Sequence, residues 1–136
     1  DGTTYYTPFD KEDSALNRRT VYRFSPRGRR SAILDAFDCP DPSTAAPRRS
    51  VTTTPIQALA LLNNAFVLRM AEGFAARLAK DGGQDITGQV SLAYALAYGR
   101  KPDTEENKLG VSLVSGHGMA ALCRVLFNSN EFVVIE

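Results

Sequence analysis

Asp38, Asp41, Arg48, Arg49, Gln57 and Asn63 are the residues of this chain whose types and spacing could do chemistry. Two carboxylates set over an apolar floor can divide the roles of acid and base, provided their surroundings push their proton affinities apart. The adjacent guanidinium groups of Arg48 and Arg49 could instead fork around a sulfate, phosphate or carboxylate, with free helix amides near Ile56 and Gln57 adding to the anion site. The same groups also make a scaffold. Asp38 or Asp41 in bidentate bonds to Arg48 or Arg49 would hold a proline-broken loop against the core, and that is the leading reading.

Other chemistry is poorly supplied. His117 is the single histidine and stands between Gly116 and Gly118, where it reads as a surface turn residue. With only Cys39 and Cys123 beside it, soft ligands are too few for a structural zinc site. The expectation is therefore no metal and no cofactor in this chain. A Cys39–Cys123 disulfide stays open if the protein is exported, but two free thiols are preferred, with Cys123 a core residue between Leu122 and Leu126. Neither a Ser-His-Asp arrangement nor a phosphate-cradling Gly-x-x-x-x-Gly-Lys motif occurs.

Charge excludes little and points nowhere strongly. Sixteen basic residues against fifteen acidic ones leave a net charge of +1 in 136 residues, too little to imply nucleic acid or a membrane surface. Arg18, Arg19, Arg23, Arg27, Arg29, Arg30, Arg48 and Arg49 nonetheless crowd one stretch, making the N-terminal third basic. Tyr22 and Phe24 interleave with Arg19 and Arg23, as base-stacking surfaces do. An amphipathic strand with snorkelling arginines explains the same pattern more simply, so nucleic acid is disfavoured. No uncharged apolar run is long enough to cross a bilayer. The chain opens on Asp1 and a polar, aromatic stretch, without the form of a signal peptide, and is expected to be a piece of something longer.

The elements that would position the polar cluster begin at Thr54. Thr54 as cap, Pro55 in the first helical position and Gln57 reaching back to the cap amide form a capping box. Leu59, Leu62, Phe66, Met70, Phe74 and Leu78 then recur every three or four residues, which predicts one long helix over about residues 55–80. Its first half is apolar nearly all round and is expected to be the core helix, with Asn63 and Asn64 inside it capping a neighbouring loop. Gly82-Gly83 breaks it; Asp85 or Thr87 starts the next helix, whose inner face is Ile86, Val90, Ala93, Leu96 and Ala97 and whose end is Gly99. Asp103 and Glu106 cap a third, carrying Leu109, Leu113 and Val114 and expected to be short or frayed because of Gly110. Gly116-His117-Gly118 reads as a turn before a last helix with Met119, Leu122, Cys123 and Leu126, stopping at Asn128 to Asn130; Phe132 to Ile135 is an apolar tail that should dock. Upstream, residues 31–37 suggest a short helix started by Ser31, and residues 38–53, with Pro40, Pro42 and Pro47, an ordered loop.

The fold expected is all-α: an irregular bundle of about four to five helices with a loop-rich N-terminal arm. Residues 1–53 are the basic arm with its short helix, and residues 54–136 the helical core, together one domain.

Several segments in order, Arg18-Arg19-Thr20-Val21-Tyr22, Phe37-Asp38-Cys39-Pro40-Asp41, Arg48 through Leu59, Leu61-Leu62-Asn63, Gly99-Arg100-Lys101-Pro102 and Leu126 through Phe132, resemble the C-terminal part of the planctomycete-type domain of unknown function 1553. The likeness runs over roughly residues 17–136. It implies the closing domain of a large exported bacterial protein, periplasmic or extracellular, behind another uncharacterised domain and sometimes a cytochrome-c-like one. The family has no assigned catalytic residues to carry over. Two departures stand out: the stretch from Leu109 to Gly118 is short, and Ala45-Ala46-Pro47 stands where the family pattern often has a cysteine.

The function expected is that of a non-catalytic helical module packing against an upstream domain of its parent protein. Two alternatives remain: a share in a hydrolytic or glycan-processing site completed by that domain, or binding of an anionic polymer such as an anionic glycan. No enzymatic motif decides whether the chain is an enzyme.

Overall fold

The computed structural model describes residues 19, 22, 32–40, 44, 45, 47 and 54–133. Over these residues the chain forms α1 (Ala32–Ala36), α2 (Pro55–Asn63), α3 (Ala65–Asp81), α4 (Ile86–Tyr98), α5 (Thr104–His117), α6 (Met119–Phe127) and α7 (Asn130–Val133). No strand occurs among the described residues, so the all-helical bundle expected from the periodicity is what forms. Tyr22 lies in a tight turn with its N–H donated to the Arg19 carbonyl, 3.0 Å, in place of the strand proposed there; Phe24 and Arg23 fall outside the described residues. The chain divides into two compact units, residues 1–60 and 61–136.

In the first unit, α1 ends in a Schellman motif. The Cys39 N–H reaches the Leu34 carbonyl at 3.0 Å, the Asp38 N–H reaches Asp35 at 3.3 Å, and Asp38 takes the left-handed conformation at φ 55°. α2 begins as its sequence dictates. Thr54 Oγ accepts from the Gln57 N–H at 3.4 Å while Gln57 Oε1 accepts from the Thr54 N–H at 3.2 Å, closing the capping box in both directions.

The long helix expected over residues 55–80 is broken at Asn64. That residue leaves helical geometry (φ −71°, ψ 127°), and its side chain accepts from the Phe66 N–H at 2.9 Å as the cap of α3. Asparagine thus starts a helix where it was expected to sit inside one and cap a loop, because its short carboxamide competes with the backbone ladder and wins at a helix start. The break also shifts the inner stripe. Val67, Ala71 and Leu78 are the buried residues of α3, with Phe74 packed beside them, rather than the row from Leu59 through Met70.

The core of the second unit takes no residue from α2. Ile56 is 66% and Leu59 56% exposed, so the first half of the expected helix is not the core helix. Ala71 and Leu78 of α3, Val90, Ala93 and Tyr94 of α4, and Leu122, Cys123 and Leu126 of α6 form the packed centre of the second unit. On α4, Ile86 and Leu96, expected inside, are exposed. Asp85 caps α4 by accepting from the Thr87 and Gly88 amides, and Gly99 ends it at φ 73°, as read from sequence.

α5 is neither short nor frayed. It runs for fourteen residues, takes in Gly116 and His117, and turns into α6 at Gly118, φ 83°. Gly110 is tolerated because its missing side chain is filled by α4: a Cβ there would lie 2.8 Å from Val90 Cγ1. The glycine is a contact point between helices, and its propensity penalty is offset by close packing.

Candidate functional site

Of the six residues singled out for chemistry, Asp41, Arg48 and Arg49 lie outside the described residues. Asp38 occupies the left-handed position of the α1 cap. Gln57 is buried, 8% exposed, and serves in the capping box. Asn63 ends α2 with its residue exposed. Gln57 and Asn63 are six positions apart on one helix, which at 100° per residue puts them on different faces. Those two are not brought together.

A different constellation is assembled, in the second unit, around Arg100. It stands just past the left-handed Gly99 that ends α4, and its guanidinium lies between Glu106 in the first turn of α5 and Glu131 of α7. Nε donates to Glu131 Oε1 at 2.6 Å and Nη2 to Glu131 Oε2 at 2.8 Å; Nη2 and Nη1 donate to the two oxygens of Glu106 at 2.7 Å each. Nη1 also reaches the Lys101 carbonyl at 3.1 Å. A guanidinium has five N–H donors, and each has a partner. The cation also lies over the rings of Tyr94 and Tyr98, 5.7 and 5.6 Å from their centroids, within cation–π range.

Glu106 has two tasks. Its side chain accepts from the Asp103 N–H at 2.8 Å while Asp103 accepts from the Glu106 N–H at 2.7 Å, the capping box that starts α5. The Arg100 hydrogen bonds, then the Asp103 amide, hold the Glu106 carboxyl down at about 2. Arg100 lowers Glu131 in the same way. Its own proton is held even more firmly than in an ordinary guanidinium, through the hydrogen bonds to Glu106 and Glu131. Burial, chiefly, raises both Tyr94 and Tyr98. The Tyr98 hydroxyl donates to Ser129 Oγ at 2.8 Å, and Ser129 in turn donates to the Leu126 carbonyl at 2.9 Å.

The five donors of Arg100 and the carboxylates of Glu106 and Glu131 are thus engaged within the unit, and the chemistry of the cluster is that of a clamp. Beside it, an open groove of about 590 Å³ runs along the start of α5 past Thr87, Asn107 and Lys108. Asp103, the one carboxylate lining it, is engaged as the α5 cap. Among the described residues no group of three or more His, Cys, Asp or Glu side chains could hold a metal ion, and no helix is long and apolar enough to cross a membrane. Cys123 is fully buried and Cys39 exposed, both as free thiols; burial pushes the Cys123 thiol up to about 12.

In the sequence the Arg100 cluster is split between two of the segments that carry the family resemblance, Gly99-Arg100-Lys101-Pro102 and Leu126 to Phe132. Their contact over 31 positions in sequence is invisible to local periodicity.

No curated protein and no solved structure matches the chain. The family model of PSD1, a protein of unknown function (DUF1553), matches residues 3–114, starting earlier than the resemblance above and ending before the segment that carries Glu131. By that match over most of its length, the chain belongs to the PSD1 (DUF1553) family.

Proposed function

We propose that the chain is a non-catalytic helical module of a larger exported bacterial protein, periplasmic or extracellular, and that it serves assembly by packing against another part of that protein. The observation that carries this reading is α2. It is a well-capped helix, yet Ile56 and Leu59 are left 66% and 56% exposed. Aliphatic side chains grouped on an exposed helix are what an interaction surface presents. The Arg100 cluster agrees, since a guanidinium whose five donors all have internal partners offers none to a substrate.

The test is Ile56→Gln with Leu59→Gln in the intact parent protein, followed by limited proteolysis and thermal unfolding. The expected result is faster cleavage in this segment, with the melting of the residue 61–136 unit unchanged. Unaltered cleavage would remove the reading. A titration of the same protein with a sulfated glycan at low and high salt addresses the anionic-polymer alternative: salt-sensitive binding that Arg48→Gln with Arg49→Gln abolishes would favour it over assembly.

A further inference from the structure

We propose that α7 is a detachable latch, and that Arg100 couples its closure to the capping of α5. The first observation is how α7 is held. Over Asn130–Val133 it has no buried residue. Its place depends on side-chain ties: Glu131 to Arg100, the Ser129 hydroxyl to Tyr98 and to the Phe132 N–H at 3.2 Å, and the Phe132 ring against Phe127 at 5.0 Å between centroids. Phe127 in turn stacks on Phe74 of α3 at 5.6 Å. The elements beneath are anchored very differently, since Val90, Ala93 and Cys123 have no exposure at all. Local opening begins where buried contacts are few, so α7 can leave and uncover Phe127 while α3, α4 and α6 stay packed.

The second observation makes this more than a fraying end. Arg100 grips Glu131 and Glu106 with the same Nη2, and Glu106 uses Oε2 both for Arg100 and for the Asp103 amide that starts α5. With Glu131 gone, the guanidinium loses two of its charged hydrogen bonds and its fixed orientation over Tyr94 and Tyr98, and Glu106 loses the preset partner that holds its cap geometry. Coupling of this kind is reciprocal. Weakening either end must loosen the other.

Amide hydrogen exchange read by mass spectrometry on the whole chain tests the latch, using wild type, Glu131→Gln and Glu106→Gln. The expected result is exchange accelerated about two- to fivefold, the range exposed ion pairs support, at residues 129–133 and 103–107 in both variants, with α4 and α6 peptides unchanged. Acceleration confined to residues 129–133 in Glu131→Gln would mean an uncoupled, fraying end and would overturn the proposal. Faster exchange throughout α4 and α6 would overturn it too, because α7 would then be part of the core's cooperative unit.

Discussion

Gly110→Ala isolates a close contact between α4 and α5. In an exposed helix interior the substitution gains roughly 1 kcal/mol from restricted backbone freedom, but here the new methyl would arrive 2.8 Å from Val90 Cγ1. Val90 is fully buried and can give way only by moving α4 or adopting a poorer rotamer, an overpacking cost of about 1–3 kcal/mol. The balance is a destabilisation between about zero and 2 kcal/mol. Gly73 supplies the control, because it lies inside α3 and a new Cβ there would meet no atom within 4 Å beyond its own helix backbone and chain neighbours; Gly73→Ala should stabilise by roughly 0.5–1 kcal/mol. Urea unfolding of both variants, read at constant slope, gives the two shifts with opposite sign. A third variant, Gly110→Ala with Val90→Ala, removes the obstructing methyls and should lose less than the two single changes together, the non-additivity expected of residues in contact. If Gly110→Ala stabilises as much as Gly73→Ala, the α4–α5 contact is not what keeps glycine there, and the account of α5 fails.

Acid should weaken the second unit through the Arg100 clamp. Glu106 has its folded value lowered, so its contribution is complete above the ordinary carboxyl value of 4.5 and is lost as pH falls toward about 2; melting temperature should drop across that window, and Glu106→Gln should flatten the drop. Leu78→Ala, at a fully buried position, should cost about 2–5 kcal/mol in urea unfolding. Iodoacetamide at mild alkaline pH should label Cys39 and leave Cys123 untouched in the native protein, since only Cys39 is exposed and the Cys123 thiol is pushed up to about 12; in denaturant both should react. Thr54→Ala, removing one half of the α2 capping box, should cost about 1 kcal/mol of local helix stability, visible as faster exchange of the Gln57 amide.

Several helix starts and stops were legible because their signals are local. Thr54 with Gln57, Asp85, Gly99, and Asp103 with Glu106 each act within four residues, and each does in the fold what its type and spacing dictate. What was not legible depended on partners far along the chain. The periodic row from Leu59 to Leu78 promised one buried face, yet a single asparagine cap at position 64 changed its phase, and no local rule could say that Ile56 and Leu59 would stay uncovered. Gly110 looked like a flaw until Val90, twenty positions away, supplied the packing. The polar cluster chosen from sequence favoured residues adjacent in the chain, whereas the assembled one joins Arg100 to a glutamate at position 131.

The Asp38 cap bears on how natural variation in this family should be read. A left-handed backbone position at φ 55° admits glycine freely and asparagine or aspartate at modest cost, and penalises other L-residues. If the turn is what selection preserves, relatives should exchange Asp, Asn and Gly at this site while avoiding Glu, which keeps the acid but sits badly in that conformation. A history of Asp-to-Glu replacement would say the opposite, that the negative charge is the trait under selection.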